Sequence, residues 1–560
     1  MSDHEVPWVE GRTIGQVLRG TATRHASRDA LVFPEIGFRL TWAELDRAAD
    51  QIARGLLALG FQKGDHFGVW STNWPEWVVL QFATARIGVV LVTINPAYRT
   101  GELEYAIAQS EIRGLLLIER FKTSQFFRML EEVCPEVLTS PPGQLHCAKF
   151  PRLQWIVGLR GAAHPGMLSW EQLSDAGAAI SDGQLAAAES PLTPGDPINL
   201  QYTSGTTGFP KGAVLTHRNL LLNGHYAGHF QRLTEADRIC IPVPLYHCFG
   251  CVLGVICAVA TGAAMVFPHE SFQPAATLQA VEQERCTAIY GVPTMFIAQL
   301  EHPIFPQCDT SSLRTGIMAG SPCPVELMKR VVSDMGASEI TIGYGQTEAS
   351  PLITQTSTDD PIEKRVGTVG RAFPDIEVKI IDPQSGVTLP DNQSGELCCR
   401  GHNVMLGYYK LPDRTAQAID ADGWLHTGDM ALRQPDGYFK ITGRFKDLII
   451  RGGENIAPRE IEELLYRHPN VEDVQVIGVP DRKFGEEVAA WIKLRTGTES
   501  TEAEMRGFCQ QHLAHFKVPK YVKFVDSFPT TVTGKIQKFK MREQAIAELG
   551  LTEVASIETA

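Results

Sequence analysis

Four short stretches, FGVWS, VVLVTI, GLLLI and TAIYGV, are apolar without strict alternation. A strand with one face in water alternates polar and apolar residues, whereas a strand covered on both faces does not. These runs therefore predict buried parallel strands with helices between them. Thr41-Trp42-Ala43-Glu44 has the form of a capping box, and Leu45, Ile52, Leu56 and Leu57 then share one helical face up to Gly60. The expected fold class is α/β, with doubly wound parallel sheets.

The pattern changes after about residue 375. IEVKIID, GELCCRG and the Asp-Gly turn in RQPDGYFKITG predict short antiparallel strands, a β-barrel-like part of the same domain. A second unit follows Arg444. PREIEELLYRHP reads as an amphipathic helix with Pro458 in its first turn. The strands VEDVQVIGV and EVAAWIKL, the helix TEAEMRGFCQQHL and the strand YVKFV complete a small α+β domain. The division is placed at 1–445 and 446–560, near Lys446.

The net charge of -13 over 560 residues argues against nucleic acid as a partner. Any phosphate must be held by a few local donors. The twelve cysteines are scattered, and MSDHEVPWVE lacks the basic and apolar regions of a signal peptide, so reduced thiols in a cytoplasm are expected. Cys251 to Phe267 carries no charge and imitates a membrane span. Its flanks hold no basic anchor, so it reads as a buried helix leading into a buried strand. No transmembrane segment is expected.

YTSGTTGFPKG, Tyr202 to Gly212, is dense in small donors. Gly205, Gly208 and Gly212 let the backbone approach a ligand, Ser204, Thr206 and Thr207 supply hydroxyls, and Lys211 supplies one charge. The stretch fits neither a Walker A loop nor a dinucleotide fingerprint. PINLQ reads as a strand entering it, and Thr216 as the cap of a following helix. In GYGQTE, Tyr344 is suited to stack on a base and Glu348 to hold a divalent cation beside phosphate. His426 to Asp429, HTGD, sets a carboxylate in a turn, and TVTGKIQK carries Lys535 on a glycine turn, where a lone lysine is usually solvated. Cys248 and Cys251 form a CxxC pair beside His247. With no second pair at zinc spacing, they read as buried thiols.

Taken in order, YTSGTTGFPKG, PLYHCFG, GYGQTE, HTGD, GRFKDLIIRGGENI and TVTGKIQK closely resemble the adenylate-forming, or AMP-binding, superfamily over nearly the whole chain. RGGENIAPREIEELL and HFKVPKYVKFV are most similar to the medium-chain and related fatty acyl-CoA synthetases. The resemblance implies ATP, Mg²⁺ and CoA acting on a small-molecule carboxylic acid, through an acyl-adenylate. It places Thr203, Ser204, Gly205, Thr206, Thr207, Gly208, Phe209, Pro210 and Lys211 around the phosphates, with Thr203 and Glu348 on the metal. Gly320, Ser321 and Pro322, with Tyr344, Gly345, Gln346 and Thr347, would form the adenine slot. Asp429 would take the ribose hydroxyls, with Arg444 close by. Lys535 would reach over from a mobile C-terminal domain to carboxylate and phosphate. Rotation about Lys446 would then bring Gly453 to the CoA channel, with His247 near the reacting carbonyl.

The small residues Gly250, Gly254, Ala258 and Ala260 leave two readings open, room for an aliphatic tail or close helix packing. A stand-alone adenylating enzyme loading a carrier protein, a luciferase-like oxygenase and a silent nucleotide-binding protein are the competing functions. A homodimer is the assembly weighed beside the monomer.

Overall fold

The computed structural model describes residues 6–160, 164–203, 210–321, 323–452, 454–531 and 535–555. Two sheets with parallel centres carry the large N-terminal region. In one, Trp155–Leu159, Gly114–Ile118, His66–Trp70, Val90–Ile94 and Pro197–Thr203 lie side by side and run parallel. In the other, Asp29–Phe33, Ala264–Val266, Arg238–Cys240, Ala288–Gly291, Thr315–Met318 and Glu339–Gly345 do so. The four apolar runs are all central strands of these sheets, buried along nearly their whole length.

Helix Pro75–Ile87 shows why no amphipathic pattern marks the interior. Every residue of it except Glu76 is buried, because it packs on Val90–Ile94 and on helices Ile14–Arg24 and Trp42–Ala58. Gln81 Nε2 also donates to Cys251 O at 3.0 Å, tying it to the apolar segment Cys251 to Phe267. That segment is the expected helix and strand. Wide π turns over Phe249–Ile256 pass into helix Cys257–Thr261 and strand Ala264–Val266. Among the described residues no helix is long and apolar enough to cross a membrane.

The small residues of this segment serve packing. A Cβ on Gly250 would stand 2.3 Å from Pro244 O, and one on Gly254 3.1 Å from the Ile241 side chain. Ala258 and Ala260 are buried, and none of the four lines the main cleft. Opposite them, a Cβ on Gly224 would meet Cys257 N at 2.9 Å. Two backbones in contact leave no room for a tail there, so the pocket reading of these four residues is corrected.

The part expected to be barrel-like is a four-stranded antiparallel sheet, Ile376–Ile381, Gly395–Gly401, Leu425–Arg433 and Phe439–Arg444. Its first and last strands do not pair, so it stays open. The C-terminal unit is built on Val471–Asp481 and Gly485–Leu494, with Tyr521–Phe524 parallel to the latter. Alternation gives this sheet two cores. Val474, Val476, Val488 and Ala490 face helices Pro458–Leu465 and Glu502–His512, while Ile477, Val479, Ala489 and Trp491 face Met541 and Ala545 of Lys538–Glu548.

The Arg86 cation lies fully inside the large region. The Arg86 side chain is wholly buried against Asp46 and Asp50, with Glu189 Oε1 3.5 Å from its Nε. Removing the cation from such a group leaves carboxylates uncompensated. Arg86→Met is expected to cost roughly 3 kcal/mol, read as a lowered denaturant midpoint with an unchanged slope.

Candidate active site

The main cavity holds about 1510 Å³ and is walled by residues of both units. One ligand usually occupies ~300–1,000 Å³, so this cleft has room for more than one. On one side stand Lys211, Glu348, Asp429 and Arg444, and on the other Lys535 and Arg459.

The strands on either side of the glycine-rich stretch pair with each other. Pro197–Thr203 and Lys211–Thr216 pair antiparallel with Thr203 opposite Lys211, and helix His217–Phe230 starts only after the second strand, capped by Thr216. Gly212 therefore sits in a strand, where a Cβ would press on Leu200 at 3.0 Å. Its expected role in backbone approach is corrected to packing. Ser204, Gly205, Thr206, Thr207, Gly208, Phe209, Pro322, Gly453 and the side chain of Lys446 lie outside the described residues. Pro210 O accepts from Tyr105 Oη at 3.1 Å.

Where the second strand begins, Lys211 Nζ donates to Tyr408 Oη at 3.0 Å and lies over the same ring. Tyr408 in turn donates to Glu348 Oε1 at 2.6 Å. One phenol thus separates a cation from a carboxylate while touching both. Thr203 Oγ1, the other expected metal ligand, donates to Lys211 O at 3.4 Å. Tyr408 escaped the sequence reading because it lies in a two-residue edge strand, Gly407–Tyr408, with no motif around it.

Asp429 and Arg444 face each other on paired strands, with Arg444 Nε donating to Asp429 Oδ1 at 2.7 Å. Tyr344 Oη donates to Oδ2 at 2.8 Å, so both carboxylate oxygens are fixed. Gly428 turns the chain at φ 69°, and its N–H donates to Glu396 Oε1 at 3.0 Å. Gly320, Ser321, Gly345, Gln346 and Thr347 all line the same cleft. Gly345 is required by its neighbour, since a Cβ there would stand 1.9 Å from Pro351 O.

Lys535 closes the cleft from the C-terminal unit. Its loop is pinned by Thr531 N–H to Lys535 O at 2.8 Å and Lys535 N–H to Thr531 Oγ1 at 3.1 Å. Burial and then Arg444 bring its ammonium down to about 8, against Asp429, Asp447 and Glu348, which hold it up. Asp447 was not legible as a site residue, because its partner lies almost ninety positions on. His247 also lines the cleft, and burial followed by the Lys535 charge lowers it to about 4. Its Nδ1 accepts from Phe249 N–H at 3.1 Å, which leaves Nε2–H as the donor of a neutral ring. Cys248 and Cys251 are buried thiols, bonded to Thr347 Oγ1 and Gln201 Oε1 at 3.6 Å each.

Residues 18–409 match the family described as AMP-binding enzyme, and residues 460–535 match the AMP-binding enzyme C-terminal domain. A Bacillus subtilis protein, YngI, whose name assigns it provisionally to the acyl-CoA synthetases, is 49% identical over 96% of this chain and 98% of its own. The human medium-chain acyl-CoA ligase ACSF2, mitochondrial, is 41% identical over 97% and 89%. Among solved structures, the anthranilate CoA ligase AuaEII in complex with anthranoyl-AMP superposes with a TM-score of 0.85. It is 26% identical, over 96% of this chain and 98% of that one. ATP-bound MatB from Rhodopseudomonas palustris gives 0.80 at 29% identity, over 95% and 99%.

Lys535 loses its charge as pH rises through about 8. Removing a carboxylate that favours the charged form lowers that value, and removing a neighbouring cation raises it. Asp447→Asn is expected to move the titration down and Arg444→Gln to move it up, each by roughly one pH unit. NMR of the ¹³C-methylated lysine checks both directions.

Proposed function

Since the chain belongs to the family of AMP-binding enzymes, we propose that it is an AMP-forming fatty acyl-CoA synthetase acting on medium-chain acids. The acid's carboxylate attacks the α-phosphorus of ATP, forming the acyl–phosphate bond and releasing pyrophosphate. The CoA thiol then attacks the acyl carbon and AMP leaves. The observation that carries this reading is Lys535 of the C-terminal unit, set in one cleft with Glu348 and the Asp429–Arg444 pair.

Each residue has a task suited to its chemistry. Lys211 and the Thr203–Lys211 hairpin hold the β- and γ-phosphates, while Gly320 to Pro322 and Tyr344 to Thr347 enclose adenine. Asp429, its oxygens already oriented by Tyr344 and Arg444, accepts from the ribose hydroxyls. Lys535 offsets charge developing between carboxylate and α-phosphate. Neutral His247 donates through Nε2 near the reacting carbonyl. Phe249, Leu253, Val292 and Ile297 give the cleft an apolar wall that suits an aliphatic tail.

Magnesium is the metal proposed here. The Thr203 hydroxyl and Glu348 carboxylate are hard oxygen donors of the kind Mg²⁺ takes, and both belong to the Lys211 cluster. When bound, the ion offsets phosphate charge. Lys446 lies in the short turn Phe445–Asp447 between the two sets of cores. That position supports a hinge there and a domain division at 445/446, with Gly453 turning toward the CoA channel after adenylation. All twelve cysteines are free thiols, which suits a reducing cytoplasm.

A screen of pyrophosphate release and thioester formation across acids of graded chain length tests the reading. Acids near octanoate are expected to lead, with release coupled to CoA. Adenylation without thioester formation would leave a simple adenylating enzyme, and faster turnover of aromatic or short acids would remove the fatty-acid assignment. In separate half-reactions, Lys535→Ala is expected to slow adenylate formation by about 10²–10³. CoA transfer from preformed acyl-adenylate is expected to stay within a few-fold.

A further inference from the structure

Among the described residues, two groups of three side chains bring metal-ligating atoms within 4.8 Å of one another. In Glu396, Cys398 and His426 the polar atoms are already engaged. Glu396 Oε1 takes the Gly428 N–H and Oε2 faces His426 Nδ1 at 3.0 Å, while Cys398 Sγ lies 3.6 Å from that nitrogen. Hydrogen bonding accounts for that group without an ion.

The second group is different. Cys134 and Cys147 are buried thiols, with the Cys134 thiol against both Cys147 and the Glu136 carboxylate, whose Oε2 is buried with no hydrogen-bond partner. A buried carboxylate oxygen without a partner is costly. We propose that Cys134, Glu136 and Cys147 form a site for a soft divalent cation of the zinc class. Thiolate sulfur at ~2.3 Å and carboxylate oxygen at ~2.0–2.2 Å from Zn²⁺ suit tetrahedral coordination. Ligand atoms at such a centre stand roughly 3.4–3.8 Å apart, and the three here all lie within 4.8 Å of one another. Two S–H bonds break, two metal–sulfur bonds form, and both protons leave to solvent. Water fills the fourth position. Partly exposed Glu136, between exposed Pro135 and Leu138, gives the route in.

The position gives the ion a purpose. Cys134 caps helix Phe126–Val133, and Cys147 lies in the irregular chain between the turn Pro135–Leu138 and strand Trp155–Leu159, near the edge of its sheet. Long irregular connections need something to hold them. A metal there clips the connection to the helix. None of the three residues lines the cleft, so the ion acts on stability and leaves the chemistry alone.

The test uses the full chain, prepared reduced and metal-free and titrated with Co²⁺ alone, then Zn²⁺. A thiolate-to-cobalt charge-transfer band is expected to saturate at one equivalent and to be displaced by zinc. Cys134→Ser and Cys147→Ser are expected to lack it, and Glu136→Gln to bind at least about tenfold more weakly. Zinc is expected to raise the melting temperature of the natural protein and leave that of Cys134→Ser unchanged, with adenylation rates alike in both. No band at one equivalent, or a band surviving in both cysteine variants, overturns the site. So does a Cys134–Cys147 disulfide found by peptide mapping of the protein before titration. If a serine variant fails to fold, the titrations of the natural protein and of Glu136→Gln still decide.

Discussion

A lysine withdrawn from water loses solvation that only well-placed opposite charge returns, and this constraint organises the cleft around Lys535. The C-terminal unit carries the ammonium into a space where Arg444 repels it and Asp429, Asp447 and Glu348 attract it. Arg444 is itself committed to Asp429 through a 2.7 Å bond, so its field is partly answered before Lys535 arrives. The small antiparallel sheet exists in this arrangement to hold that pair in register across two strands.

Tyrosine hydroxyls do a second job throughout the site. Tyr344 donates to Asp429 and Tyr408 donates to Glu348. A phenol fixes the direction of a carboxylate without cancelling its charge. Burial pushes both phenols well above their ordinary range, so each remains a donor. Each carboxylate is thereby oriented by a donor that carries no charge of its own.

Much of this was legible in the sequence where a local pattern carries the physics. Apolar runs marked the central strands, the Thr41–Glu44 box marked a helix start, and VEDVQVIGV and EVAAWIKL marked the two long strands of the C-terminal sheet. The motifs also brought Lys211, Glu348, Asp429, Arg444 and Lys535 to one cleft. What stayed hidden depends on partners far away in the chain. Tyr408 acquires its meaning only from Lys211, 197 positions earlier. Gly250 and Gly254 left room and close packing equally open and proved to be contact, because a missing side chain reads the same in both cases until its neighbours are known. The strand Lys211–Thr216 was not read at all between PINLQ and the helix that Thr216 caps.

The order of strands in the nine-stranded sheet has a consequence for synthesis. Asp29–Phe33 forms a hairpin with Phe38–Thr41, but its other neighbour is Ala264–Val266, and Trp8 likewise bonds Ala260 across 252 positions. A ribosome adding roughly 5–20 residues per second leaves that hairpin waiting for about 10–45 seconds with one strand edge open. A lone two-stranded ribbon is marginal in water, and its inner face is apolar. One edge of Asp29–Phe33 therefore stays open while more than two hundred further residues are made, and the nascent chain's exposure to aggregation and its need for shielding in that interval fall on this hairpin.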